Sequence, residues 1–266
     1  MDQRRSRHAG GGVSAFRAGT AEGPQAPLFF SAGAAAGGSQ ASLSCPAGVA
    51  EGPVADALAE RRLAERVFAR CHGVIADTCL YSSVPPEFLG GLVANESGGN
   101  PQAVRFEPAV YRHLKAVAEG KRPTYAGLSR RDLDQEVAEM LHPKAGDFHA
   151  VFLTGSFRTA HARELAASRD EAVRELASSW GLTQIMGYHL VGRSGTVRDL
   201  LEPGFHFRLA LELLAQFAER YQLDLRREFE EMFRCWNTGQ PYGETFDPNY
   251  VEKGLRRVRI YRGLIH

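Results

Sequence analysis

The chain has 266 residues, 44% of them hydrophobic and 24% charged, an ordinary globular balance that supports one sizeable core. Its formal net charge of +1 at pH 7 gives no electrostatic basis for nucleic acid as a partner. No run of about 18 apolar residues occurs, so no membrane span is expected.

Residues 1–52 are rich in Gly, Ala and Ser, as in "HAGGGVSAF" and "SAGAAAGGSQASLSC". Such a composition buries too little apolar surface to order itself, and it predicts a tail without a core of its own. Arg4, Arg5 and Arg7 precede only a short apolar stretch around Leu28–Phe30. "SLSC" before Cys45 carries Ser42 where a lipoprotein signal has an apolar residue, so no complete export signal is legible. From Pro53 to His266 the pattern is that of one mainly helical domain. Val54, Leu58, Leu63, Val67 and Cys71 recur at helical intervals. "VPP" at Val84–Pro86 ends that region and opens a helix over Glu87–Asn95, which stops at Gly98–Gly99.

Further helices are predicted at Ala109–Glu119, Arg130–Leu141, Arg158–Ser168, Arg169–Ala177, Phe205–Tyr221, Arg227–Trp236 and Tyr250–Gly263. Strand signals are confined to "AVRFE" and "HAVFLTG", so at most a small β-hairpin is expected.

The four cysteines, Cys45, Cys71, Cys79 and Cys235, form no CxxC pair. Were Cys71 and Cys79 on one helix, they would lie roughly 12 Å apart, too far to bridge. His113, His142, His149, His161, His189 and His206 form no HExxH or comparable pair. No metal and no cofactor is therefore expected.

Three segments bring polar groups into apolar surroundings. Glu96 closes an apolar helix in "LVANESGGNP". Packing the helix's apolar face would press this carboxylate against the core, and desolvation favours a protonated carboxyl able to act as a general acid. Read alone, Glu96 is an ordinary helix-end carboxylate. "SSWGLTQIMGYH", 178–189, embeds Ser179, Gln184, Tyr188 and His189 among Trp180, Leu182, Ile185 and Met186; buried amides and hydroxyls need partners, and a sugar supplies them. "FRCWNTGQPYG", 233–243, runs a helix into Asn237, with Trp236 and Tyr242 offering aromatic faces to a sugar ring. Either segment alone also reads as routine packing.

In this order, "ESGGNP", "SSWGLTQIMG", "CWNTG" and "NYVEKGLRRV" resemble the goose-type lysozyme and soluble lytic transglycosylase superfamily. The likeness to phage-type N-acetylmuramidase domains is greater still, through Ser179–Tyr188 and the "FE" of Phe106–Glu107. It runs from about Pro85 to the C-terminus and is weak over 121–159, which reads as a divergent insertion capping a cleft. Departures are Thr183 where Met is frequent, Gly187 where some members have Pro, and Trp236 where Tyr is usual.

The resemblance implies an α+β lysozyme-like helical bundle around a glycan-binding cleft, with peptidoglycan glycan strands as the partner. Glu96 would be the acid that cleaves between N-acetylmuramic acid and N-acetylglucosamine, and Glu107 a second carboxylate. It further implies that Ser97, Ser179, Gln184, Met186, Tyr188, Trp236, Asn237 and Tyr242 line the substrate, with Gln184 and Asn237 on acetamido groups. A working place in the cell envelope or exported to the wall follows from that substrate. Two other readings stay open: a non-catalytic peptidoglycan-binding or structural envelope module, and an enzyme on another glycan such as chitin. Glu107 also reads as a structural partner of Arg105 or Arg112, and Asp132, Asp134 and Asp147 are further options for the second carboxylate, each also readable as a solvated side chain.

Overall fold

In the computed structural model, residues 53–141 and 162–266 are described. The expected tail and the "HAVFLTG" strand lie outside them. Helix α1 (Pro53–Cys79) carries Val67, Cys71, Ile75 and Cys79 on one buried stripe. Cys71 and Cys79 sit on this single uninterrupted helix and, like Cys235, are free thiols buried in the core. After the "VPP" turn comes α2 (Pro86–Glu96), with Pro at its first turn and its middle buried on every side from Phe88 to Ala94.

Next follow β1 (Val104–Phe106), α3 (Pro108–Ala118), β2 (Thr124–Tyr125), β3 (Leu128–Ser129) and α4 (Arg130–Leu141). Then come α5 (Ala162–Leu176), β4 (Ser178–Trp180), β5 (Ile185–Met186) and two 3-10 turns at Gly187–Leu190 and Val197–Leu201. The chain continues through α6 (Pro203–Tyr221), α7 (Phe229–Thr238) and α8 (Tyr250–Ile265).

Helix α2 packs against both α1 and α8; α8 also meets α1 and α7, while α3, α4 and α5 form a second group. The tightest approach is between α2 and α8. A Cβ on Gly90 would fall 2.4 Å from the Tyr261 ring, and one on Gly91 2.5 Å from Val258. Only glycine lets α8 lie this close, and it is this closeness that brings Tyr250 over the end of α2.

Two expectations are corrected. The helices read as Arg158–Ser168 and Arg169–Ala177 are one continuous α5 from Ala162. "SRD" resembles a helix start, but Arg169 bonds Asp134 of α4 and Asp170 accepts from Tyr111 of α3, so the polar residues serve packing mid-helix. The single small hairpin is also too little. Besides the β2–β3 hairpin there is a three-stranded antiparallel sheet in the order β1-β4-β5. Strands of two or three residues show no alternation to read. Cross-strand pairing sets Arg105, Ser179 and Met186 in one row, with Val104, Trp180 and Ile185 in the next.

Candidate functional site

Glu96 is the last residue of α2, half-buried. The amides of Ser97 and Gly98 both close onto the Val93 carbonyl, and Gly98 and Gly99 turn the chain away with φ of 62° and 81°. One carboxylate oxygen of Glu96 accepts a hydrogen bond from the Tyr250 hydroxyl. Tyr250 is buried at the first turn of α8, and burial together with the neighbouring Glu96 pushes its hydroxyl well above the ordinary tyrosine pKa. It is therefore a proton-bearing donor at any ordinary pH.

The loop Gly181–Gln184 joins β4 to β5 and forms the other side. Ser97 Oγ donates to the Leu182 carbonyl at 2.6 Å, and Trp236 Nε1 donates to the Thr183 carbonyl at 2.9 Å. Two consecutive carbonyls thus tie together the segments around Glu96, around Gln184 and around Trp236. The loop is braced from behind by His206, which is fully buried. His206 Nε2 accepts the Thr183 amide at 2.8 Å, and Nδ1 donates to the Leu200 carbonyl at 2.9 Å. A backbone N–H can only donate, so the ring is neutral with its proton on Nδ1, and burial pushes its pKa down to about 4. Gly181, at φ 70°, admits the ring: a Cβ there would lie 2.3 Å from the Leu200 oxygen.

Other residues expected in the site are spread between interior and surface. Ser179, Met186 and Tyr188 are buried. Gln184, buried and left-handed at φ 55°, uses its amide within the loop: Nε2 donates to the Gly181 and Ala103 carbonyls, and Oε1 accepts from Ser179 Oγ. Trp236, 1% exposed, is a core residue, which corrects its reading as a sugar platform: a ring enclosed on both faces has none to offer. Asn237 is buried beside it, whereas Tyr242 is 87% exposed.

Glu107 follows β1 as expected and is buried, with Arg105 Nε 2.6 Å from its Oε1. Burial raises its pKa, and the adjacent guanidinium opposes that rise. Glu107 is thus paired with Arg105, one of the two arginine partners expected for it.

Sequence reasoning missed three contributors: Tyr250, Thr183 and His206. Tyr250 stood in a matched segment, and its position at the start of a helix was the available signal. Thr183 and His206 act through a backbone amide and a ring acceptor, which no local pattern marks.

Among the described residues no helix is long and apolar enough to cross a membrane, and no group of three His, Cys, Asp or Glu could hold a metal ion. No family model, curated protein or solved structure matches the chain.

Proposed function

We propose that this protein cleaves peptidoglycan glycan strands between N-acetylmuramic acid and N-acetylglucosamine, with Glu96 as general acid and then base. The observation that carries the reading is convergence. Four segments spread along the chain meet within one hydrogen-bonded cluster: Ser97 on Leu182, Trp236 on Thr183, and Tyr250, 154 residues from its partner, on Glu96 itself. They are the four segments on which the resemblance to lysozyme-like enzymes rests.

In the reaction Glu96 gives its proton to the bridging oxygen as the C1–O bond breaks, and positive charge develops at the sugar. The 6-hydroxyl of the same sugar then attacks C1, returning its proton to Glu96 and leaving a 1,6-anhydro end. Hydrolysis instead requires a water and, when inverting, a second carboxylate roughly 6.5–9.5 Å from the acid. Glu107, the candidate for that second carboxylate, is paired with Arg105. On this reading the strand lies in a cleft beside Glu96 and the enzyme works at the cell envelope; of the insertion over 121–159 expected to cap that cleft, the part from residue 142 on lies outside the described residues.

Glu96→Gln keeps the shape of the side chain and removes the transferable proton. Its turnover of purified peptidoglycan is expected to fall by about 10²–10⁴-fold with the fold intact. Mass analysis of the wild-type products then reads anhydro ends for the transglycosylase route and reducing ends for hydrolysis. Near-normal digestion by Glu96→Gln would remove the acid and the mechanism with it. Strand binding without cleavage by the wild type identifies a binding module, and cleavage of chitin alone identifies another glycan.

A further inference from the structure

We propose that Glu60, Arg257 and Asn95 form a positioning relay that holds Glu96 in register with Tyr250, a role that rests on reading Glu96 as the acid. Arg257 of α8 presents its guanidinium to three partners. Nε and Nη2 grip Glu60 of α1 at 2.6 and 2.9 Å, while Nη1 donates to Asn95 Oδ1 at 2.6 Å and to the Ala94 carbonyl at 3.2 Å. The two-point grip on a carboxylate fixes the plane of the fork, and so fixes where Nη1 points.

Asn95 immediately precedes Glu96. An arginine can only donate, so Oδ1 must face Arg257 and the amide nitrogen must face the other way. That nitrogen donates to the Tyr250 carbonyl at 3.2 Å. The backbone of Tyr250 is thereby pinned to one residue, and its hydroxyl reaches the next. The Ala94 carbonyl is one of the last four of α2, which have no partner within the helix. Arg257 satisfies it and sets positive charge at the negative end of the helix dipole.

The ion pair is largely shielded, with side-chain exposures of 12% and 17%. Desolvation offsets most of the attraction in such a pair, so its net contribution to stability is small. Apolar contacts of Gly90 and Gly91 with Tyr261 and Val258 already join α2 to α8. What the pair adds is orientation at Asn95 and Glu96. Glu60 lies on α1, upstream of every segment that carries the resemblance, so the relay ties α1 to the segments around Asn95 and Arg257.

The test is a carbon-13 NMR titration of the Glu96 carboxyl in the full chain, alongside kinetics on purified peptidoglycan. Tyr250→Phe removes a hydrogen bond to the ionised carboxylate and is expected to move the midpoint upward. Asn95→Ala and Arg257→Lys are expected to move it the same way and to lower kcat by about tenfold with KM unchanged, as a displaced acid does. Glu60→Gln keeps an acceptor for the fork and is expected to retain more of kcat than Glu60→Ala. A wild-type midpoint in folded Asn95→Ala and Arg257→Lys, with Tyr250→Phe shifted, overturns the relay; so does a Tyr250→Phe midpoint that does not move. NMR shifts as expected in a protein inert on peptidoglycan would support the relay and sink the functional reading instead.

Discussion

Tyr242 and Trp236 stand six residues apart in one predicted sugar-binding segment, and the structure separates them by burial. Trp236 holds the Thr183 carbonyl from inside the core, so Trp236→Phe keeps most of the ring's packing and leaves that carbonyl without its donor. An unsatisfied buried acceptor costs about 1–3 kcal/mol, which urea denaturation is expected to register. Tyr242→Ala removes an exposed ring and is expected to leave stability within about 0.5 kcal/mol while raising KM for glycan strands. Unchanged stability in Trp236→Phe would contradict the hydrogen bond. An unchanged KM in Tyr242→Ala would take that ring out of substrate contact. The segment was legible only through its order among the matched motifs, since alone it also reads as routine packing. Burial was not, since it depends on what α7 packs against.

Among the elements, the helices were readable from periodicity and from Pro and Gly at their ends. Arg130–Leu141 has the boundaries the sequence predicts, and α2 differs by one residue at each end. Of the sheet only β1 was readable, in "AVRFE"; β4 and β5 are too short to alternate and their pairing depends on the loop at Gly181. "LGGLV" marks a further limit: glycine lowers helix propensity, and only the position of α8 explains two of them inside α2. Gly90→Ala would raise helix propensity yet drive a methyl into the buried Tyr261 ring. The expected outcome is a net loss of about 1–3 kcal/mol in chemical denaturation. A gain in stability would mean that α2 and α8 do not meet this closely.

For the whole molecule, His206 links the site to the pH range over which the fold persists. Its ordinary value of 6.5 applies to the unfolded chain, whereas burial holds it at about 4 in the fold. Between those values the unfolded chain binds a proton that the native ring refuses. Its contribution is therefore fully present above pH 6.5 and is lost as pH falls toward 4, by about 3 kcal/mol. Urea midpoints at pH 7, 5.5 and 4.5 are expected to decline through that window; a flat series would show that the ring protonates in place. The hydrogen bond between Tyr250 and Glu96 spans 154 residues, and that between Arg257 and Asn95 spans 162. Contacts of such separation close slowly and, in a chain made from its N-terminus, only after the downstream helix has left the ribosome. On the proposed reading, bond-breaking routed through Glu96 is withheld from a nascent chain until α8 has been made, so the order of synthesis acts as a timer on that chemistry.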